Sequence, residues 1–426
     1  MIGILLNDNS YEQDIRELLM AFYPGETFAH EKQDDVTFYI EGIYAEDTFT
    51  LKMIDNGEIR SEAAFSLDYK NRLAAKTMIK KELYNICSEH TGKKLPWGTL
   101  TGIRPTKIAL TRLDEGWKEE DIKDFMRETY LTSEEKIDLS VEIAAREKEL
   151  LSKIDYENGY SLYVGIPFCP TTCAYCSFTS YPIGLWKGKV HLYLEALFKE
   201  LDYVAKKMKG RTLDTVYFGG GTPTSLSADE LDQLLTKIEN TFDLSTVKEY
   251  TVEAGRPDSI TEDKLRTLRA HGITRISINP QTMKQETLDI IGRFHTVEHV
   301  KEQFRLAREL GFDNINMDLI LGLPNETKEM VLETIQYLNR LSIFGIKLQL
   351  LHVLKDTDLA DDYMAGKFET LSREDYMALL ISCLKNLSPD IVIVFAKRAF
   401  WVIEVMLLTA FGTLLLRQAF FLKILC

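Results

Sequence analysis

Three of the six cysteines fall within eight residues, Cys169, Cys173 and Cys176, in the stretch GIPFCPTTCAYCSFTSYP that runs from 165 to 182. Thiolates are soft ligands that suit zinc and iron–sulfur clusters. A structural zinc site closes its tetrahedron with a fourth protein ligand, and here His191 or a distant cysteine would have to supply it. Three thiolates can instead hold three irons of a 4Fe-4S cluster and leave the fourth iron open to another molecule. Free cysteines also serve as small buried hydrophobes, but three at this spacing on one proline-containing loop favour ligation. The open cluster corner is the reading the spacing favours.

A second set of polar residues recurs at regular places. From residue 161 short apolar runs, SLYVGI, DTVYFG, EYTVEA, RISINP, NINMDLI and IKLQLLHV, alternate with helical stretches. Ser227 followed by Glu230, and Ser372 followed by Asp375, have the spacing of helix-start capping boxes. Six strand–helix repeats predict an α/β fold, a curved parallel sheet with helices outside, in effect a partial (β/α)6 TIM-like barrel. The ends of these strands carry Gly219-Gly220-Gly221-Thr222-Pro223, then Glu253, Asn279 with Gln281, and Asp318. In parallel β/α architectures ligands gather at the carboxyl ends of the strands, so these residues should converge on one mouth. Adjacent glycines also allow a ligand to approach the backbone closely.

The elements before this repeat differ. Met1 to Leu6 is a strand candidate, DVTFYIEGIYA and TFTLKMI alternate as strands do, the pattern turns helical from Ser61, and residues 132 to 154 are strongly helical. The expected organisation is an α+β region with a helical connector over 1–155, a core barrel over 156–355, and a helical carboxyl-terminal region over 356–426. The motif PWGTLTGIRPTKIAL at 96–110 reads as a turn, or as an anion contact through Arg104 or Lys107. A formal charge of −14, from 51 Lys plus Arg against 65 Asp plus Glu, makes nucleic acid an unexpected partner. The amino terminus has no secretory-signal pattern, and a cysteine loop that must stay reduced points to the cytoplasm.

The segment VGIPFCPTTCAYCSF resembles the signature of radical S-adenosylmethionine enzymes, and within them the oxygen-independent coproporphyrinogen III oxidase (coproporphyrinogen dehydrogenase) family. The resemblance runs over roughly 80–335 and includes WGTLTGIRPTK, FTSYP and IGRFHTVE. It implies that Cys169, Cys173 and Cys176 bind the cluster, and that S-adenosyl-L-methionine occupies the open iron and is cleaved to a 5'-deoxyadenosyl radical. Gly220, Gly221 and Thr222 match the segment that meets the methionine end, Glu253 the residue on a ribose hydroxyl, and Gln281, Arg293 and Asp318 positions lining the cofactor pocket. Tyr163 matches an aromatic near the cluster. From the residues alone, Arg293 could be a surface cation, Tyr163 a core ring, and Glu253 and Asp318 paired carboxylates, because a carboxylate in an apolar strand needs a partner. His295, His299 and His352 read as core or surface residues.

The implied reaction is oxidative decarboxylation of two propionates of coproporphyrinogen III to the vinyls of protoporphyrinogen IX, in heme biosynthesis. The implied partners are a tetrapyrrole and a reduced flavodoxin or ferredoxin-type electron donor. Two other functions stay open: a heme-binding or delivery protein of the same family, and a radical enzyme acting on another substrate. The segment from 345 to 393 resembles another radical S-adenosylmethionine family of uncharacterised bacterial proteins, AKRAF at 396–400 is faintly similar to a late motif of the oxidase group, and the oxidase group's carboxyl-terminal domain is not expected. Residues 401–426 are apolar but interrupted by Glu404, Arg417 and Lys423, too short a run to span a bilayer. They are candidates for a packed helix or for peripheral membrane contact, and the oligomeric state is left open.

Overall fold

Strand β6 (Tyr160–Ile166) begins a run of seven parallel strands, with at least one helix between each strand and the next. The computed structural model describes residues 1–396 except 34, 46, 69, 102, 103 and 156, so the AKRAF motif past Ala396 and the apolar tail lie outside the described residues. The chain divides into two compact units, Met1–Glu149 and a second beginning at Leu150.

In the first unit, β1 (Ile2–Leu6) pairs in parallel with β2 (Phe28–Ala29) and β3 (Phe38–Ala45), and an antiparallel meander continues through β4 (Thr48–Asp55) and β5 (Glu58–Ser66). Alternation explains the sheet: Phe49, Leu51 and Met53 of β4 are fully buried while the residues between them are not. These residues pack with Ile15, Leu18 and Phe22 of α1 (Glu12–Phe22) and Ile79 and Leu83 of α2 (Arg72–Thr91). The expected helical shift at Ser61 is not seen, because 58–66 alternates and pairs along β4; the helix starts after the Asn71 cap, whose side chain accepts from Ala74 N. Helices α3 (Pro105–Asp114), α4 (Glu119–Tyr130) and α5 (Glu134–Leu151) enclose a smaller core of Ala109, Ile122, Met126, Ile137, Val141 and Ala144. Arg104, at the start of α3, pairs with the buried Glu147 at 3.1 Å.

In the second unit, β7 (Phe168–Cys169) and β8 (Tyr181–Pro182) form a two-residue clamp at the base of the cysteine loop. Then follow α6 (Val190–Lys207), β9 (Leu213–Gly220), α7 (Ala228–Thr241), β10 (Glu249–Val252), α8 (Glu262–Ala270), β11 (Arg275–Ser277), α9 (Gln285–Ile290), α10 (Val297–Glu309), β12 (Ile315–Leu321), α11 (Lys328–Leu341), β13 (Gly345–Leu350), α12 (Asp358–Met364), α13 (Arg373–Asn386) and β14 (Val392–Ala396). Sheet order is β14-β13-β12-β11-β10-β9-β6, every neighbour parallel. This is an α/β sheet of seven parallel strands in sequential order, and a mixed sheet stands in the amino-terminal region. Its core interleaves Val164, Val216, Phe218, Val252, Ile276, Met317 and Leu348 from the strands with Leu197, Leu234, Leu235, Leu268 and Ile335 from the helices.

Two local details differ from expectation. The apolar IVIVF run forms a seventh strand beside β13 in a region expected to be helical, because the exposed edge of β13 accepts a parallel partner there. The Ser227–Glu230 pair is a full capping box, whereas Ser372 accepts from Asp375 N and donates its hydroxyl to the Asp375 carboxylate. Among the described residues, no helix is long and apolar enough to cross a membrane.

Candidate functional site

The cysteine loop leaves β6 and is fastened at several points. Thr222 N donates to Phe168 O (2.7 Å) and Gly221 N to Ile166 O (2.8 Å), so the glycine segment after β9 lies against the start of the loop. Midway, Ala174 N donates to Ile291 O (3.0 Å) and Leu359 N donates to Ala174 O (2.9 Å). Cys176 N closes a turn onto Cys173 O at 3.0 Å. All three thiols remain partly exposed, unlike the buried Cys87 and Cys383. Cys169 Sγ lies 3.4 Å from Thr222 Oγ1, and burial pushes its thiol pKa up. Among the described residues, no three His, Cys, Asp or Glu converge on one point as a single metal ion would require.

The glycines are needed for closeness. A Cβ on Gly221 would stand 2.6 Å from Phe168 O and 3.0 Å from Cys169 Sγ, and Gly220 has φ +105°, a region open to glycine at little cost. A Cβ on Gly219 would stand 3.0 Å from both Glu253 Oε2 and Tyr163 Oη. The backbone therefore passes beside the cysteines with no side chain in the way.

Inside the sheet a polar layer forms from residues of successive strands. Tyr163 and Tyr217 are register partners on β6 and β9, with stacked rings 6.0 Å apart. Tyr217 Oη donates to Glu253 Oε1, just past β10. Asp318 and Lys347 are register partners on β12 and β13, with Lys347 Nζ 3.3 Å from Asp318 Oδ2. Burial raises the Glu253 pKa against the pull of Lys347 and Tyr217; the adjacent Asp318 raises that of Lys347. Burial, with Glu253 nearby, pushes the Tyr163 hydroxyl up to about 12.

The third group joins this layer to the loop. After the short β11 the chain turns through Gln281 at φ +65°, whose N–H donates to Asp318 O (3.0 Å) and whose carbonyl accepts from Ile320 N (3.0 Å). Arg293, 4% exposed, donates through Nη2 to Asn279 O (2.7 Å) and through Nη1 to Tyr175 Oη (3.1 Å) in the cysteine loop. It is thus not a surface cation. Gln281 meets Asp318 through the backbone and Lys347 links Asp318 to Glu253, whereas Arg293 reaches Asn279 and Tyr175; His295 is buried with its pKa driven down to about 3 by burial and by Arg293, and His299 caps α10. Lys347 and Arg256 were not foreseen. Lys347 offered only an alternating strand pattern, whereas Arg256 stands in AGRPDS, where an arginine two residues ahead of an aspartate at a proline turn was a usable signal.

These residues suit a 4Fe-4S cluster carrying S-adenosylmethionine. The side-chain atoms Ser277 Oγ, Asn279 Oδ1, Gln281 Oε1 and Arg293 Nε are buried without hydrogen-bond partners, an arrangement that is costly unless a polar ligand satisfies it. Ser277, Asn279 and Gln281 lie on or just after β11, at the carboxyl end of the sheet where the glycine cradle also stands, and Arg293 follows α9.

The model described as the Radical SAM superfamily matches residues 163–338, and a Radical_SAM C-terminal domain matches 343–394. The oxygen-independent coproporphyrinogen-III oxidase-like protein HemZ of Bacillus subtilis (strain 168) is 38% identical over 335 residues, covering 75% of this chain and 66% of HemZ. The heme chaperone HemW of the same organism is 40% identical over 168 residues, 39% of this chain and 44% of HemW. The solved structure of coproporphyrinogen III oxidase (HemN) from Escherichia coli is 28% identical, with a TM-score of 0.48, over 56% of this chain and 54% of that one. This chain thus spans about two thirds of the length of HemZ and under half of that of HemW. The superfamily match opens on the strand that delivers the cysteine loop and runs past the strand that carries Asp318; this chain belongs to the radical SAM superfamily, whose cofactors are a 4Fe-4S cluster and S-adenosylmethionine.

Proposed function

We propose that this chain catalyses the oxygen-independent oxidative decarboxylation of coproporphyrinogen III propionates, with Cys169, Cys173 and Cys176 holding the cluster. The observation that carries this reading is the 38% identity to an oxidase-like protein, which continues through 335 residues rather than the barrel alone. When bound, the cluster and S-adenosylmethionine supply a 5'-deoxyadenosyl radical that takes a hydrogen atom from the substrate.

The chain's own residues bind and orient. Gly220, Gly221 and Thr222 would present backbone and hydroxyl to the methionine end, and Gly221 lies close beside Cys169. Glu253 would hold a ribose hydroxyl and Asp318 would line the pocket, with Lys347 neutralising part of their charge. Gln281, Asn279 and Arg293 would offer their buried, unpartnered polar atoms to the cofactor. Tyr163 and Tyr217 wall the lumen with aromatic surface, which excludes water from a carbon-centred radical. A reduced flavodoxin or ferredoxin-type protein supplies the electron.

A second reading, a heme-binding and delivery protein, is favoured by the 40% identity to a heme chaperone over 168 residues. Both are tested by one anaerobic assay of the iron–sulfur-reconstituted chain with reductant, S-adenosylmethionine and coproporphyrinogen III. Vinyl products formed together with 5'-deoxyadenosine support the oxidase. Deoxyadenosine without vinyl groups removes this substrate, and stable heme retention without turnover supports delivery.

A further inference from the structure

Arg256 is 3% exposed, follows β10, and has every nitrogen of its guanidinium engaged. Nε and Nη2 form a two-pronged contact with Asp258, at 3.0 Å to Oδ1 and 2.6 Å to Oδ2. Nη1 points the other way, into the cysteine loop: 2.9 Å to Thr171 O, 2.8 Å to Thr171 Oγ1 and 3.7 Å to Cys173 Sγ. Asp258 thus fixes the plane of the fork, and the fork fixes both Thr171 and the sulfur of Cys173. Such a fork has one bonding geometry, which a lysine cannot reproduce.

A cluster held by thiolates gains one negative charge when reduced. A buried cation that donates to one of its sulfurs stabilises the reduced form more than the oxidised one, and hydrogen bonds to sulfur together with net charge set cluster potentials. Asp258 acts in the opposite sense, since its carboxylate offsets part of the guanidinium charge. We propose that Arg256 is a positioning residue which holds Cys173 in the loop and raises the reduction potential of the cluster, with Asp258 limiting that rise. The inference rests on the reading that the three cysteines hold the cluster.

The test uses the full chain and the variants R256K, R256Q, D258N and C173A, each reconstituted anaerobically with iron and sulfide. Iron and sulfide per chain are measured first, then the reduction potential by electron paramagnetic resonance during a mediated titration without S-adenosylmethionine. R256Q should shift the potential downward, D258N upward, and R256K should fall between R256Q and the parent chain. Unchanged potentials in R256Q and D258N at full iron content would overturn the proposal, as would a downward shift in D258N. Should R256Q take up no cluster, the sign of the D258N shift decides alone. A parent chain that binds no cluster, or C173A with undiminished iron, instead defeats the underlying cysteine assignment.

Discussion

Lys347 and Asp318 are register partners on adjacent parallel strands, and their side chains meet at 3.3 Å on the polar face of the sheet. Glu253 shares the same ammonium as a counter-charge. Two carboxylates and one lysine thus occupy a partly dehydrated layer, and removing the lysine leaves both anions uncompensated. Lys347→Met is therefore expected to destabilise the chain by about 3 kcal/mol. Adding Asp318→Asn should recover part of that loss, because the pair disappears together. Urea unfolding of the parent, both single variants and the double variant measures both effects; additive losses would contradict the pairing.

Gly221 tests the closeness of backbone and cysteine. Alanine there would bring a methyl within 2.6 Å of a backbone oxygen and 3.0 Å of Cys169 Sγ. An over-packing cost of about 1–3 kcal/mol is expected, together with lower iron content after reconstitution. Gly188→Ala, where no atom lies within 4 Å of the new carbon, serves as the control and should bind iron as the parent does.

Arg293 reads out the cofactor pocket separately from the cluster. Its replacement by Lys breaks the fork that joins Asn279 O to Tyr175 Oη. The expected result is at least a roughly tenfold weaker affinity for S-adenosylmethionine, the scale of one lost charged hydrogen bond, with iron content retained. Equilibrium dialysis on the reconstituted protein measures it, and unchanged affinity would remove Arg293 from the pocket.

His271 gives a pH dependence remote from the cluster. Burial disfavours its charged form, but hydrogen bonds to Asp232 and Glu239, at 3.0 and 2.7 Å, outweigh burial and raise its pKa. A raised folded-state value means that the stabilisation is complete below the unfolded pKa of about 6.5 and is lost as pH rises through the folded value. Thermal melts of His271→Gln should therefore fall closest to the parent at high pH and furthest below it at low pH.

The chemistry of the site was legible where it depends on residue type at a strand end. Three cysteines on one loop, the glycines after β9, and Glu253 and Asp318 in apolar runs stand out because each is expensive or unusual where it occurs. Lys347 was not legible for the opposite reason: in GIKLQLL an alternating lysine looks like a solvent-facing residue, and only its register with Asp318 on β12 gives it a buried partner. Gln281 was placed in the pocket by resemblance, but its left-handed backbone and its pairing with Asp318 and Ile320 depend on where β12 runs, which local sequence does not encode. The seventh strand was missed because five apolar residues match a buried helix turn as well as an edge strand until β13 is seen to lack a neighbour.

The fastening of Ala174 carries a consequence for synthesis. One of its two backbone partners is Leu359, which follows Cys176 by 183 residues. At ribosomal speeds of about 5–20 residues per second, roughly 10–40 s separate translation of the cysteines from translation of their last anchor. Through that interval the thiols are present while their seat is incomplete. The order of synthesis thus presents the three thiols well before the backbone of their loop can gain its contact with Leu359.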